Sequence, residues 1–270
     1  RAGFDRYIGM EDFTLTKDEY DPVWGVYDDV SLTKANQEFR RMKEPFLALW
    51  FSLSSHAPFN LPKWWVHRYS ASVQNGELKN TILYSDYSLS KFFEAARKEK
   101  YFDRTIFVII ADHSAGTGYT GVRERFWIPC FIYAPGYSHG ILSPRRVDSV
   151  GNQLDILPTL LDLVGISAAH HAFGRSLFDT SASPRVAMLD NIPLYGWVRD
   201  RLLLIADSQK PLTLYDYVTD PSEKQNLIGE RKAEAESMAR ELFSFVQVSK
   251  ALILDNRLFP PHLPLQAPRG

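Results

Sequence analysis

Cysteine is almost missing from this chain. Cys130 stands alone among 270 residues, which excludes an intrachain disulfide framework and any cysteine-rich zinc cluster. In the apolar setting of Trp127 to Ala134 it is expected to be a small core residue. Long hydrophobic runs are missing too: no uninterrupted apolar stretch reaches the roughly 18 residues that a membrane-crossing helix needs. An excess of one charge is also absent. The 31 basic residues face 32 acidic ones for a net charge of -1, so there is no electrostatic case for nucleic acid or for an anionic membrane surface. Nor is there a glycine-rich phosphate loop, a G-x-S-x-G elbow or a specific two-carboxylate glycosidase pattern. The first residue is Arg1 and no signal peptide is visible. The chain is therefore expected to be a piece of something longer, and compartment is not to be read from its N-terminus.

What remains is an ordinary globular composition, 45% hydrophobic and 23% charged, in a chain long enough to bury a sizeable core. "PFLALWFSLSS" (Pro45 to Ser55) is a continuous apolar run bounded by the turn-prone "HAPFNLP", as expected of a strand buried on both faces. "KNTILYSDYSLSKFFEAARKEKYFDRT" is predicted to be a long helix. Its Ile82, Tyr84 or Ser85, Leu89, Phe92, Phe93 and Ala96 recur at helical steps, and Lys and Arg crowd its end. "TIFVIIA" and "WIPCFIYAP" follow as strands, the second closed by Pro135–Gly136. In "DSVGNQLDILPTLLDLVGI" a helix is expected with Asp155 as its cap, Pro158 in its first turn and Gly165 as its stop.

Strands alternating with helices in this way imply an α/β fold, a mainly parallel sheet flanked by helices. From about Ser181 the texture changes. "RVAMLD", "RLLLIAD" and "LTLYDYVTD" look like short strands of a small antiparallel sheet, and "EKQNLIGERKAEAESMARELFSFVQVSKAL" like a charged amphipathic helix. Three parts are expected: an α/β core over 1–180, a sheet-and-helix subdomain over 181–255 and a proline-rich tail over 256–270.

Ligands of parallel sheets gather beyond the carboxyl ends of the strands. Asp112–His113 and His56 both fall just past such ends. Asp112 and His113 offer a hard oxygen and an imidazole nitrogen, a pair suited to zinc or manganese and less to calcium; the bland alternative is an aspartate capping the next segment beside a hydrogen-bonded histidine. His56 is either a substrate-contacting, proton-handling group or a loop histidine held by its neighbours. His67, His139, His170, His171 and His262 stand in turn, helix-stop or tail contexts and are expected to be structural or exposed. Asp86 is expected to be a buried or helix-face acid. Trp24, Trp64 and Trp65 are expected to line a hydrophobic cleft, to face a membrane interface or to pack in the core.

Several ordered segments together carry a resemblance. "GFDRYIGMEDF", "WGVYDDVSLTKAN", "FSLSSHAPFNLP", "YSDYSLSKFFEAARKEKYFDRTIFVIIADHS", "IPCFIYAPG", "QLDILPTLLDLVGI" and "LYDYVTDPSEKQNL" resemble the C-terminal portion of the sulfatase-like branch of the alkaline phosphatase superfamily. Within it they are similar to lipoteichoic acid synthases and related phosphoglycerol transferases. The resemblance runs from about Gly3 to Leu227. It implies that Asp112 and His113 ligate a catalytic divalent metal, manganese or zinc before magnesium or calcium, and that His56 contacts the phosphoryl group or its glycerol.

The implied reaction moves a phosphoglycerol or phosphoethanolamine group from a phospholipid to a cell-envelope glycan or lipid, through a phospho-threonine intermediate. The implied setting is a bacterial cell membrane, with N-terminal membrane helices and an extracytoplasmic catalytic domain. In the family the nucleophilic threonine, a metal-binding acid and further substrate-binding residues precede the "GFD" segment. Thr14, Thr16 and Thr33 do not sit in the matching context, so this chain alone is expected to bind metal weakly and to turn over nothing. A true sulfatase is the other enzymatic expectation, favoured by "LYDYVTDPSEKQNL" but lacking here the C/S-x-P-x-R context. A non-catalytic domain of the same fold, binding lipid or regulating a partner, is the third.

Overall fold

The structure is a computed structural model, and it describes residues 4–115, 118–137, 143–168, 170–181, 183–191, 193–255 and 257. The chain divides into two compact units. The first comprises Arg1–Phe107 with Ile132–Leu142, and the second Val108–Phe131 with Ser143–Gly270. His139 and His262 lie outside the described residues, as does nearly all of the expected proline-rich tail.

In the first unit, a minimal antiparallel hairpin, β1 (Tyr20–Asp21) with β2 (Gly25–Val26), leads into helix α1 (Asp28–Phe39). Gly25 has φ 107°, a left-handed conformation that favours glycine at this tight reversal. Helix α2 (Gly76–Ala96) packs against α1. Asn80, Thr81, Tyr84, Ser88, Phe92 and Ala96 form its buried stripe, the three- and four-residue spacing of a single helix face. Ile82, expected on that stripe, is instead exposed. Leu32, Phe92, Ala96, Tyr101 and Phe102 make the core, with Phe39, Trp50 and Phe93 against it. The rings of Phe39 meet those of Phe92 and Tyr101 edge-on at 6.3 and 6.0 Å, a favoured aromatic arrangement.

The expected strand at 45–55 is a correction. No ladder forms there. Leu47, Leu49 and Phe51 are exposed, while Phe46 packs on Phe39 and Tyr101 and Trp50 joins the core. An apolar run buries both faces only when strands flank it, and among the described residues none pairs with this one.

The second unit contains the Val108–Ile110 part of β3 (Phe107–Ile110) and the Cys130–Phe131 part of β4 (Cys130–Tyr133), which form a two-stranded sheet. A larger, mainly parallel sheet is not assembled among the described residues. Cys130 is exposed, not buried in a core as expected, because this short sheet leaves that side uncovered. The short helix α3 (Val122–Phe126) stands between these strands in the chain. Helix α4 (Ile156–Leu163) follows a 3-10 turn at Gln153–Asp155. Its entry is capped by Asn152, whose side chain accepts from Leu154 N, while Asp155 answers by accepting from Asn152 N. The expected cap is thus one partner of a reciprocal box. Gly165, at φ 68°, ends this segment as expected.

The expected C-terminal sheet and helix are present. β5 (Val186–Asn191), β6 (Leu194–Arg199), β7 (Leu202–Ala206) and β8 (Pro211–Asp216) form a four-stranded antiparallel meander in that order. Every residue of β7 is buried because both faces of the sheet are covered. Leu202, Leu204 and Ala206 face α5 (Lys232–Leu254), which presents Ala235, Met238, Ala239 and Leu242. Leu203 and Ile205 point the other way, into a cluster with Ala187, Leu189 and Val198 on which Val122 and Phe126 of α3 pack. Leu204 is fully buried and Leu47 is 69% exposed, so Leu204→Ala is expected to lower unfolding stability by about 2–5 kcal/mol and Leu47→Ser to change it by less than about 0.5 kcal/mol. Urea titration of the two variants checks this; an equal loss in both would contradict the exposed placement of the 47–51 segment.

Candidate active site

In the first unit, the geometry around His56 starts from a buried carboxylate. Asp28, at the first turn of α1, is 1% exposed. Its Oδ1 accepts from Leu53 N (3.0 Å) and Ser54 N (3.2 Å), and its Oδ2 from Ser52 Oγ (2.7 Å) and Ser85 Oγ (2.8 Å). Ser54 Oγ in turn accepts from Asp28 N. The loop that carries His56 is thereby fastened to both α1 and α2. Beside it, Asp29 accepts from Tyr84 OH, and the Tyr84 phenol is pushed far up by burial and by that carboxylate. Hydrogen bonding of this density offsets the cost of a buried charge.

His56 itself is exposed. The Trp24 ring lies against its imidazole with centroids 3.7 Å apart, and the Trp24 Nε1–H donates to Ala57 O at 2.6 Å. His56 Nδ1 stands 3.0 Å from the same carbonyl; donation from Nδ1–H leaves the Nε2 lone pair outward. Asn60 and Val23 N both donate to Asp21 Oδ1, tying the Trp24 turn to the loop after His56.

In the second unit, Asp112 and His113 leave the end of β3. Asp112 Oδ1 accepts from His113 N (2.8 Å), and Asp112 Oδ2 stands 3.6 Å from His113 Nε2. His113 Nδ1 is 2.8 Å from Ser114 O, and the two side chains are 57% and 72% exposed. Gln153 braces the backbone, its Nε2 donating to Ala111 O (3.0 Å) and Asp112 O (2.8 Å). Asp112 Oδ2 and His113 Nε2 are therefore close together and open to solvent. Metal bonds to oxygen and imidazole nitrogen run to about 2.1 Å, so two ligands of one ion lie less than about 4.2 Å apart, and 3.6 Å fits. Among the described residues no group of three or more His, Cys, Asp or Glu side chains is gathered for a metal. What the described residues bring together here is one carboxylate and one imidazole.

Among the described residues the other histidines show no such pairing. His67 is exposed and 3.4 Å from Asn80 Nδ2, and His170 and His171 are exposed. Asp86, expected as a buried or helix-face acid, is on the solvent face of α2. Sequence reasoning missed Asp28 and Gln153 altogether; the acid pair in "VYDDVS" was the available signal for the first, and nothing marked the second.

A family model, Sulfatase, matches residues 1–166. The chain belongs to the sulfatase family. Within that family it is similar to "Lipoteichoic acid synthase 1" of Bacillus subtilis, 25% identical over 222 residues, covering 70% of this chain and 34% of that protein. "Phosphoglycerol transferase I" of Xanthomonas campestris is 28% identical over 175 residues, covering 62% and 24%. A crystal structure of an alkaline phosphatase superfamily protein from Vibrio parahaemolyticus superposes with a TM-score of 0.65 at 29% identity, covering 87% of this chain and 61% of that one. The alkaline phosphatase superfamily fold is thus shared, and the chain spans about a third of the length of the first of these proteins and a quarter of that of the second.

Asp28→Ala strands two backbone and two hydroxyl donors. Its expected cost is at least about 3 kcal/mol, with Asp28→Asn losing about half as much because the amide oxygen still accepts. Guanidinium denaturation of both variants measures it; a neutral Asp28→Ala would remove this carboxylate as the organiser of the His56 loop.

Proposed function

We propose that this chain is part of a metal-dependent phosphotransferase, which moves a phosphoglycerol or phosphoethanolamine group from a phospholipid to an envelope glycan or lipid acceptor. The observation that carries the reading is the approach of His113 Nε2 to Asp112 Oδ2, 3.6 Å, beyond a strand end. Lipoteichoic acid synthases and a phosphoglycerol transferase among its relatives support the substrate class and a membrane-anchored, extracytoplasmic setting. Among the described residues no helix is long and apolar enough to cross a membrane.

On this reading Asp112 and His113 hold a divalent ion, manganese or zinc. Such an ion, when bound, lowers the pKa of an attacking hydroxyl and neutralises charge on the phosphoryl oxygens. His113 is fixed by its Nδ1 contact to Ser114 O, which selects Nε2 as the ligand atom. His56, steadied by Trp24 and with its Nδ1–H given to Ala57 O, turns the Nε2 lone pair toward the phosphoryl group or its glycerol, where it accepts from a glycerol hydroxyl. The hydroxyl that attacks is a threonine of another part of the protein.

A second reading is sulfuric ester hydrolysis. It is favoured by the turn at Asp216–Leu227 and by similarity to "Sulfatase" of Formosa agariphila, 28% identical over 120 residues. Both readings share the metal pair, and the reactions separate them: phosphodiester transfer for the first, aryl sulfate hydrolysis for the second.

Manganese titration of the chain followed by electron paramagnetic resonance is expected to show one weak site, lost in Asp112→Asn and in His113→Ala. In the longer protein either variant is expected to lower phosphodiester transfer at least about 100-fold. Manganese binding that survives both substitutions would refute the ligand roles.

A further inference from the structure

The turn between β8 and α5 does something that its own stability does not require. Glu223 sends its carboxylate to the start of α3, a hundred positions earlier in the chain. Its Oε2 accepts from Val122 N at 2.6 Å and its Oε1 from Arg123 N at 2.8 Å. Helices begin with unpaired N–H groups, and here no local side chain caps them. Gly121 sits where a side chain would obstruct: a Cβ there would stand 2.5 Å from Glu223 Oε1.

Glu223 also holds a left-handed backbone, φ 53°, which is costly for a residue with a Cβ. Asp220 holds it there: its Oδ2 accepts from Lys224 N (2.6 Å) and Gln225 N (2.7 Å), and its carbonyl from Glu223 N (3.0 Å). Next to the clamp, the Arg123 guanidinium lies 4.6 Å from the Tyr217 ring centroid and 5.1 Å from that of Trp127. From α3 the contacts continue. Ser114 Oγ donates to Arg125 O, and Ser114 O is the partner of His113 Nδ1.

We propose that Glu223 is a positioning residue for the Asp112–His113 pair, clamping α3 so that α3 holds Ser114, and Ser114 holds the His113 imidazole. The proposal deepens the metal reading above and rests on it for its functional consequence. It assigns the C-terminal turn a task at the site, where its sequence alone marks only a turn.

The test uses the full chain and two variants. Glu223→Gly removes the carboxylate while relaxing the left-handed backbone, and Glu223→Gln keeps an acceptor oxygen. Hydrogen exchange at residues 122–124 reads the clamp, and the ring signals of His113 and His67 in 1H–13C spectra, recorded with and without manganese, read the site. In Glu223→Gly, exchange is expected to speed at least about 10-fold, the His113 signal to move, and the manganese needed to broaden it to rise several-fold. His67 is expected to stay unchanged, and Glu223→Gln to fall between Glu223→Gly and wild type, because its single amide oxygen replaces only one of the two acceptors. Fast exchange with an unmoved His113 signal would overturn the proposal, leaving Glu223 a helix cap only. Unchanged exchange would overturn it as well. If manganese fails to broaden His113 even in wild type, the metal reading fails by itself, and movement of the His113 signal still decides the clamp. Should Glu223→Gly not fold, Gly121→Ala displaces the same carboxylate from the opposite side and repeats the comparison.

Discussion

Backbone N–H groups in irregular loops must find acceptors, and in this protein the loops bearing the candidate site find them on carboxylates from distant parts of the chain. Asp28 serves Leu53 and Ser54 from 25 and 26 positions away. Asp155 serves Arg175 from 20 positions away, and Glu223 serves Val122 and Arg123 from 101 and 100. A loop past a strand end cannot use a ladder, and water serves poorly where the segment is packed against the core. A carboxylate can take two or more such donors with charge-assisted strength. The arrangement places His56 and the segment after His113 on supports that tolerate exposed, reactive side chains.

Regular periodicity carried much of the fold into the sequence. Helix α2 and the helix α5 stand out by spacing alone, and three of the four strands of the C-terminal sheet by their β-rich texture. "LYGWVR" was passed over because glycine weakens a strand signature. Its physical reason is in the register. Gly196 pairs with Leu189, whose Cβ would lie 3.0 Å from a side chain at 196, so glycine makes room for a core leucine. Helix α1 escaped notice because "DDVSLTKANQEF" is largely polar; it buries Asp28, Leu32 and Glu38, two of them charged. The 45–55 run was misjudged for the opposite reason. Hydrophobicity signals that a segment can be covered, and says nothing of whether a neighbour covers it.

The candidate site divides in the same way. Adjacent Asp112 and His113 are legible because one dipeptide holds both chemical types at the end of an apolar run. The contact between Trp24 and His56 joins residues 32 positions apart, and the clamp from Glu223 joins elements about a hundred apart. Neither leaves a local pattern. The sequence offered only the turn chemistry of "TDPSEKQN", in which Asp220 and Asn226 each accept from two backbone amides, with no hint that the glutamate between them reaches elsewhere.

Both candidate histidines are held by one device. In each, Nδ1 meets the carbonyl of the next residue, Ala57 for His56 and Ser114 for His113. A ring so fixed loses rotamer freedom before any ligand arrives, and its Nε2 is the nitrogen left to act. What differs is the neighbour. His113 Nε2 looks toward a carboxylate, a pairing that gathers negative charge and, on the proposed reading, a cation. His56 lies against an indole, with no carboxylate among its described contacts, which leaves its Nε2 lone pair free to accept from a hydroxyl. On the proposed reading, two imidazoles of identical intrinsic chemistry are thereby directed to different partners, one to a metal and the other to the phosphoryl group or its glycerol, by the single group placed beside each.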